Sequence, residues 1–343
     1  MILATHKILE IFSSNRKPDF TIVSALVSCV EQFGNISAAD VLLDCFLADP
    51  TDSYRADLLC VIDAFGDFSH TQKLIGNCFN GKKLKKDYPT EILHTLGYIG
   101  DENSVELLLH NALYENDYYS SKDAVLGLLH FDCGEFESQI LAAIEETYEK
   151  NLFNEFVPAL VCKLSEPTEV LENLFKYGST ITSADCNSGV ILGFSLCGKI
   201  GEEYFRKALW HPFWEANCGA TGTVHWAYFG TQNLGITLSE LYQEVKNSET
   251  DALAHRLSVI EGLLKDKIGN VSSPLRFIKP IEESFEAIYE NIFAWETPNE
   301  ANNIEDLGKK LGHLNRFFEL RRKLEFRLQD EMLHNYKNKL TDL

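Results

Sequence analysis

Residues 87–115 read DYPTEILHTLGYIGDENSVELLLHNALYE, and residues 119–150 read YSSKDAVLGLLHFDCGEFESQILAAIEETYEK. Each stretch contains an apolar helical pattern, a short turn with Gly and Asp, and a second apolar helical pattern. A helical hairpin of this size cannot bury its apolar face alone, because its core is completed only by neighbouring copies. The two stretches therefore predict an all-α array of stacked helical hairpins.

The turn that ends the first helix of each hairpin recurs at a nearly constant spacing. If the residue after the last apolar position is taken as the mark, the marks are Gly34, Gly66, Gly100, Asp132, Ser165, Gly198, Gly230 and Gly262. The steps between them are 32, 34, 32, 33, 33, 32 and 32 residues. Glycine suits such a helix end because left-handed backbone carries no Cβ penalty there. The spacing predicts about seven or eight hairpins.

Apolar residues at fixed distances before each mark define the predicted core. Four residues before the marks stand Val30, Ile62, Leu96, Leu128, Val161, Phe194 and Trp226. Eight residues before the first six marks stand Leu26, Leu58, Ile92, Ala124, Val157 and Val190. The position just before the mark is also mostly apolar, beginning with Phe33 and Phe65. These offsets place the side chains on one face of each first helix, so this face should point inward.

The second helices are predicted from similar apolar spacing after each mark. Several open with residues that favour a helix start, such as Ser37, Ser69, Ser104 and Thr168. No long alternating β pattern is present, and we predict no β-hairpin. The basic stretch GKKLKK at 81–86 is interpreted as a solvated turn.

Three phrases resemble a known repeat family: AFGDFSHTQKL at 64–74, TLGYIGDENSVELLLHNAL at 95–113 and SSKDAVLGLLHFD at 120–132. They are similar to HEAT-like repeats of the short kind found in phycobilin lyases and many bacterial adaptors. The resemblance covers roughly residues 20–245, and neither the ankyrin nor the tetratricopeptide signature is present. It implies a right-handed α-α superhelix, that is, a solenoid, but says little about function.

The predicted organisation has three parts. Residues 1–18 form an N-terminal cap helix, residues 19–265 form the solenoid, and residues 266–343 form C-terminal helices that cap it. The period fails after Leu264, and the apolar spacing over 304–340 indicates a long helical segment of one or two helices. We favour a cap for this segment, with homodimerisation through it as the alternative.

Sequence composition indicates where in the cell the protein is expected. The N-terminus lacks the basic opening and long apolar run of a signal peptide, and no run of 18 apolar residues indicates a membrane span. Nine cysteines are scattered without a CxxC pair, which is typical of reduced thiols packed in helices rather than of a disulfide framework. We therefore expect a cytoplasmic protein that does not bind membranes.

The net charge of −20 limits the partners. It argues against nucleic acid, whose affinity depends on Lys and Arg that neutralise phosphates. It favours a basic protein partner, because an acidic surface accelerates the approach of a cationic one. The alternative is that the acidity only keeps the protein soluble.

Six residues are candidates for contact with a partner. Four glutamates lie too deep in their second helices to be explained by the helix dipole: Glu106, Glu115, Glu145 and Glu172. If second helices line the concave face, as the resemblance implies, these glutamates form an acidic trough. Two aromatic residues of the segment 208–235, Trp214 and Tyr228, would serve as binding anchors if they are exposed.

Motifs for catalysis, metals and cofactors are missing from the sequence. No histidine is followed by Glu, as the diiron site of HEAT-like hydroxylases requires, and no GxSxG, P-loop or GxGxxG is present. His211, Cys218 and His225 do not form a closed four-ligand spacing. We therefore predict no catalytic residue, no metal site and no cofactor.

These observations lead to a non-catalytic protein-binding module whose acidic surface binds a basic protein. An immunity protein that neutralises a cationic toxin is one specific form of this hypothesis. A general assembly scaffold is the alternative within the class. A phycobilin-lyase-like accessory that binds a small cofactor between repeats is the alternative outside it.

Overall fold

A computed structural model describes most of the chain up to residue 278. The described residues are 2–14, 18–115, 117–150, 152, 154–180, 187–212, 214, 223–246, 248–249, 252, 255–256, 259–260, 262–263, 266–267, 271 and 273–278. They form fifteen α-helices, two 3₁₀ helices and one short β-hairpin. The all-α prediction is therefore confirmed. The predicted C-terminal helical segment 304–340, and any dimerisation through it, lie outside the described residues.

The chain divides into two compact units, Met1–Glu166 (unit 1) and Pro167–Leu343 (unit 2). The α-helices of unit 1 are α1 Leu3–Ser13, α2 Phe20–Phe33, α3 Ile36–Ala48, α4 Ser53–Ala56, α5 Leu59–Phe65, α6 Phe68–Cys78, α7 Glu91–Ile99, α8 Glu102–Leu113, α9 Tyr118–Leu128 and α10 Glu137–Glu149. Unit 1 also contains strands β1 Phe79–Asn80 and β2 Lys83–Leu84 and the 3₁₀ helices Gly134–Phe136 and Val157–Lys163. The helices of unit 2 are α11 Thr168–Thr180, α12 Ser188–Leu196, α13 Gly198–Trp210, α14 Thr223–Leu234 and α15 Leu238–Lys246.

The core follows the predicted apolar rows. The residue four positions before the mark is buried in all seven hairpins, from Val30 to Trp226. The residue eight positions before is buried in the first six, from Leu26 to Val190. Residues just before the mark are not all buried, because the side chain of Phe33 is 69% exposed. The prediction is therefore confirmed for two rows and wrong for Phe33.

First helices of successive hairpins contact one another within each unit. In unit 1, α2 contacts α5, α5 contacts α7, and α7 contacts α9. In unit 2, α12 contacts α14, and the second helices α11 and α13 contact each other. Each of these contacts joins elements one hairpin apart in the sequence.

The glycines at the first three marks are required for space rather than for left-handed backbone. Gly34, Gly66 and Gly100 have φ of −80°, −67° and −73°, so the predicted left-handed conformation is wrong. A Cβ on Gly34 would lie 2.5 Å from the Val30 carbonyl oxygen and 3.2 Å from the Phe65 ring of the next hairpin. At all three turns a Cβ would first meet the carbonyl oxygen of the residue four positions earlier, and at Gly34 and Gly66 a side chain of the next hairpin also packs against the turn.

Two later hairpins depart from the predicted pattern. The first helix of the fifth hairpin, Val157–Lys163, is a 3₁₀ helix with Pro158 in its first turn. The predicted mark Gly230 lies inside α14, where a Cβ would meet the Phe205 ring at 2.3 Å. The chain instead leaves α14 at Gly235, whose φ of +69° favours glycine. Close helix packing at Gly230 was therefore mistaken for a turn.

The N-caps of the second helices lie earlier than predicted. Asn35 accepts a hydrogen bond from the Ala38 amide (3.2 Å), and Asp67 accepts one from the Ser69 amide (2.9 Å). Because a carboxylate or amide oxygen serves well as an N-cap acceptor, the capping residue is the one directly after the glycine. Ser37 and Ser69, the predicted helix openers, instead lie within the first turn of α3 and α6.

The stretch 79–84 forms a β-hairpin, so the prediction of no β-hairpin is wrong. β1 and β2 pair antiparallel, with Phe79 opposite Leu84 and Asn80 opposite Lys83. Gly81 has φ +60°, which is typical of a two-residue hairpin turn that begins with glycine. The signal in the sequence was Gly81, the first of the two turn residues Gly81 and Lys82.

A side-chain hydrogen bond recurs between neighbouring first helices of unit 1. Ser24 Oγ donates to Asp57 Oδ2 (2.6 Å), and Thr90 Oγ1 donates to Asp123 Oδ2 (2.5 Å), each across 33 residues. Burial raises the pKa of Asp123 to about 6, against the opposing effect of the Thr90 hydrogen bond. The ionised form of this carboxyl is therefore disfavoured by the fold.

Replacing Asp123 with Asn is expected to stabilise unit 1 above pH 6. Because the pKa is raised from 3.8 to about 6, the protonated carboxyl contributes fully to the free energy of unfolding below pH 3.8. This contribution is lost as the pH rises to about 6. Taken in full, the raised pKa corresponds to roughly 3 kcal/mol of lost stability at neutral pH. We expect the Asn variant to regain about 1–2 kcal/mol, because the side chain is only partly buried. Urea unfolding from pH 4 to 8 should show the gain growing with pH. The exposed change Glu149→Gln should stay within about 0.5 kcal/mol at every pH, and an equal gain there would contradict the burial argument.

Candidate protein interface

Two of the predicted acidic residues are paired with lysines of the β-hairpin. Lys82 Nζ lies 2.6 Å from Glu106 Oε2, and both side chains are more than half exposed. Lys83 Nζ donates a hydrogen bond to Glu115 Oε2. The basic stretch interpreted as a solvated turn therefore packs against α8 and supplies cations to Glu106 of α8 and to Glu115. Glu115 lies beyond the end of α8 at Leu113, so the prediction that it lies deep in its helix is wrong.

Glu115 is the most constrained of the four glutamates. Its side chain is 17% exposed, and the His110 ring lies 3.2 Å from its second carboxylate oxygen. The hydrogen bond from Lys83, followed by the charge of Lys83 and the contact with His110, lowers the pKa of Glu115. The carboxylate is therefore ionised throughout the neutral range.

A buried amide holds the hairpin in place. Asn111 of α8 accepts a hydrogen bond from the Leu84 amide (3.2 Å) and donates to the carbonyls of Lys82 and Leu107 (both 2.8 Å). Asn111 is 1% exposed, and Leu84 and Phe79 are buried beside it. The hairpin backbone is thus fixed while its lysine side chains extend over the surface.

The other two glutamates differ in their surroundings. Glu172 of α11 is exposed and pairs with Lys176 one turn later at 2.7 Å. Glu145 of α10 is partly exposed, and in the part of the chain that the structure describes no Lys or Arg pairs with it. Three of the four predicted contact carboxylates therefore already have a cation from the same chain.

Three exposed tyrosines flank Glu115 in the sequence, and they were not among the predicted contact residues. Tyr114, Tyr118 and Tyr119 are 63%, 41% and 64% exposed and lie where α8 ends and α9 begins. The rings of Tyr118 and Tyr119 meet edge to face at 5.0 Å, and Tyr114 donates a hydrogen bond to Gln139 of α10 at 3.3 Å. The signal in the sequence was YENDYY, three tyrosines within six residues at a helix boundary. We call Tyr114, Glu115, Asp117, Tyr118 and Tyr119 the tyrosine edge.

Composition and position make the tyrosine edge suited to protein binding. Tyrosine is enriched at interfaces because its ring offers a large contact area at low entropic cost and its hydroxyl can form a hydrogen bond. The edge also contains Glu115 and Asp117, and Asp117 Oδ2 is engaged by the Ser120 amide as the N-cap of α9. A partner that contacts the tyrosines would therefore meet negative charge between them.

The two predicted aromatic anchors are not on the surface. Trp214 is 0% exposed and Tyr228 is 7% exposed. The Trp214 ring stacks on Phe175 at 5.5 Å and lies 5.8 Å from the Phe194 ring. Their predicted role as binding anchors required exposed rings, but both rings are buried in the core of unit 2. The prediction that Trp226 is a core residue is confirmed.

Unit 2 contains an open pocket of about 540 Å³ whose lining includes Gln232, Asn233 and Phe277. Asn233 Nδ2 donates to Ser195 Oγ (2.7 Å), and Ser195 Oγ donates to the Leu192 carbonyl (2.7 Å). Because the hydroxyl proton of Ser195 is already used, the amide nitrogen of Asn233 must face Ser195. The Asn233 Oδ1 atom is then buried with no hydrogen-bond donor. Asn233, a lining residue of the pocket, thus has one buried acceptor without a donor, and the half-exposed ring of Phe277 also lines the pocket.

The cysteines and acids described by the structure do not form a reactive centre. Burial raises the pKa of Cys78 to about 12 and that of Cys162 to about 11, so both thiols are protonated at neutral pH and are weak nucleophiles. Cys29, Cys45, Cys78, Cys133 and Cys162 are free thiols. Among the described residues, no group of three or more His, Cys, Asp or Glu side chains could hold a metal ion.

Comparisons with known proteins add no assignment. No helix within the described residues is long and apolar enough to cross a membrane. No protein-family model matches the chain, and no similar protein was found among curated proteins or among solved structures.

Proposed function

We propose that this chain is a non-catalytic protein-binding module and that the tyrosine edge is its contact surface. The observation that carries the proposal is the presence of three exposed tyrosines, Tyr114, Tyr118 and Tyr119, at one boundary between two well-packed helices. Exposed aromatic rings on a rigid support lose little entropy on binding and commonly carry much of the binding energy.

The architecture that we propose for this module is a HEAT-like solenoid. The contacts between successive first helices and the two buried rows support this arrangement. In such an array each hairpin contacts only its neighbours, and the boundaries between helices form continuous edges. The tyrosine edge would then be one segment of such an edge, at the third and fourth hairpins.

The proposed partner is a basic protein. Residues 1–166 contain 26 acidic and 12 basic side chains, whereas residues 167–343 contain 25 and 19, so most of the negative charge belongs to unit 1. Residues 101–149 alone contain 12 acidic side chains and one lysine, Lys122. An acidic field of this kind accelerates association with a cationic partner and makes binding sensitive to salt.

Two narrower forms of the proposal differ in what the partner does. In the immunity form, the partner is a cationic toxin whose basic groove is covered by the acidic surface. In the scaffold form, the tyrosines supply most of the affinity and the charge matters less. The free thiols of Cys29, Cys45, Cys78, Cys133 and Cys162 support a reducing, cytoplasmic location in both forms.

A second candidate function is the binding of a small molecule in unit 2. The unused acceptor of Asn233 beside the pocket of about 540 Å³ favours it, since a buried acceptor gains from a donor supplied by a ligand. Phe277→Ala and Asn233→Leu should then weaken binding of that small molecule and leave the basic protein partner unaffected.

Removing a tyrosine from the edge is expected to weaken partner binding by about tenfold or more. Tyr119→Ser removes a 64% exposed ring, and loss of one interface hot spot typically costs about 1–2 kcal/mol or more. The partner is first isolated from native cytosol on the wild-type protein with elution by salt, and its Kd is then measured by calorimetry for each variant.

Phe33→Ser is the matched control, because it removes a 69% exposed ring at the far end of α2. It should leave the Kd unchanged within twofold or so. An equal loss of affinity in both variants would mean that the partner responds to any exposed apolar ring and does not bind specifically at the tyrosine edge. Retention of no basic protein, or of one indifferent to salt and to Tyr119, would overturn the proposal.

A further inference from the structure

In the free protein the carboxylates next to the tyrosine edge are occupied by the chain's own cations. Lys82 reaches Glu106 at 2.6 Å, and Lys83 donates to Glu115. The hairpin that carries these lysines contributes four of the twelve basic residues of unit 1 within six positions, 81–86. The densest basic stretch of unit 1 thus lies on its candidate contact surface.

The backbone of the hairpin and its lysine side chains differ in how firmly they are held. The backbone is fixed by Asn111, which bonds to Leu84 and to the carbonyl of Lys82. The side chains of Lys82 and Lys83 are 56% and 59% exposed. Exposed ion pairs contribute little to stability, because solvent screens them and long side chains lose entropy on pairing. The lysine heads can therefore leave the carboxylates without unfolding the hairpin.

We propose that Lys82 and Lys83 are an internal competitor that occupies the place of the partner's cations until the partner displaces them. This inference rests on the proposed function, because it concerns the regulation of the same surface. On binding, cationic side chains of the partner replace the lysine heads at Glu106 and Glu115, while the tyrosines contact the body of the partner. No bond is made or broken other than these ion pairs and hydrogen bonds.

The competitor sets a requirement for the partner. A partner with a single cationic side chain gains little binding free energy, because it replaces one lysine–carboxylate ion pair by another of the same kind. A partner that offers two or more cations together with a surface for Tyr114 and Tyr119 gains the aromatic contacts as well. Lys83 and His110 lower the pKa of Glu115, so Glu115 is already a carboxylate when the partner arrives and the exchange replaces one cation by another with no loss of a proton.

The test measures binding of a labelled octalysine peptide by fluorescence anisotropy, at low and at physiological salt. Lys82→Ala/Lys83→Ala removes the competitor and should bind the peptide about tenfold more tightly than the wild type. Lys73→Ala/Lys150→Ala is the matched control. It removes the same charge from two exposed ion pairs elsewhere in unit 1, those with Asp44 and Glu146. The control should gain no more than about twofold through its net charge.

A further variant tests whether the tighter peptide binding depends on Glu106 and Glu115. Adding Glu106→Gln/Glu115→Gln to the lysine-free protein should remove the tenfold gain, because the freed carboxylates are then gone. Lys82→Gln/Lys83→Gln repeats the measurement with longer side chains in case the alanine variant unfolds at a lower temperature than the wild type.

The outcomes separate the inference from the function on which it rests. Equal gains in the hairpin variant and in the control would overturn the competitor, while salt-sensitive binding by the wild type would leave the proposed function intact. A gain that survives the two glutamine changes would also overturn it. Absence of binding in every variant, together with retention of no basic protein from cytosol, would overturn both.

Discussion

Replacing Trp214 with alanine is expected to lower the free energy of unfolding of unit 2 by about 3–5 kcal/mol. The indole is fully buried, stacks on Phe175 at 5.5 Å and packs beside Phe194. It also lies against Gly178 of α11, where an added Cβ would be 2.3 Å from the ring. Alanine would therefore leave a cavity between α11 and α12 that backbone shifts can fill only in part.

Chemical denaturation followed by circular dichroism measures the effect, with Trp214→Phe as the graded control. Phenylalanine keeps the stacking on Phe175 and should cost clearly less than alanine. If the alanine variant unfolds like the wild type but loses the partner, Trp214 is a surface anchor after all, and the buried position described here is wrong. Loss of stability in the order wild type, Phe, Ala assigns Trp214 to the core.

The core was predictable because it depends on periodicity. Val30 and Ile62 are buried because offsets of four and eight residues from a turn lie on one helical face, whatever the partner helix. The same reasoning failed for Phe33, since the position next to the turn lies at the border between the inward face and solvent. Offsets identify a face of a helix, but they do not determine how far that face extends.

The candidate interface was predictable only in part, because it depends on contacts between residues distant in sequence. Glu106 and Glu115 were predicted from their depth in a helix, which holds for Glu106 but not for Glu115, because α8 ends at Leu113. Their pairing with Lys82 and Lys83 follows from the hairpin packing on α8, which requires the buried Asn111. No short-range pattern indicates that a lysine 24 or 32 residues earlier will reach a given carboxylate. Glu106 and Glu115, two of the four glutamates predicted to form an acidic trough, are therefore already paired with lysines of the same chain.

Aromatic residues illustrate the same limit. Trp214 and Tyr119 are both large rings in segments rich in aromatic residues, yet one is 0% and the other 64% exposed. Trp214 is buried because Phe175 and Phe194 from two other helices close over it. Tyr119 remains outside because it lies in the first turn of α9, on the side away from the buried Ala124 and Val125. Tertiary packing decides between the two.

Replacing Gly127 with alanine is expected to destabilise unit 1 by about 1–3 kcal/mol, although alanine favours helix. α7 and α9 approach so closely that a Cβ on Gly127 would lie 2.7 Å from the Leu93 carbonyl oxygen, and one on Gly97 would lie 2.6 Å from the Gly127 Cα. Relief of such contacts requires the two helices to separate, which loosens the packing of Leu108 and its neighbours. Helix propensity alone predicts the opposite sign, a gain of about 1 kcal/mol.

Gly76 is the matched control, because it lies inside α6 and a Cβ there would meet nothing within 4 Å. Gly76→Ala should therefore stabilise the protein by up to about 1 kcal/mol, since only propensity and unfolded-state entropy change. Opposite signs for Gly127 and Gly76 in urea unfolding would show that α7 and α9 pack through their glycines. Two gains of similar size would mean that the helices are further apart than described, and the contact between the first helices of the third and fourth hairpins would have to be revised.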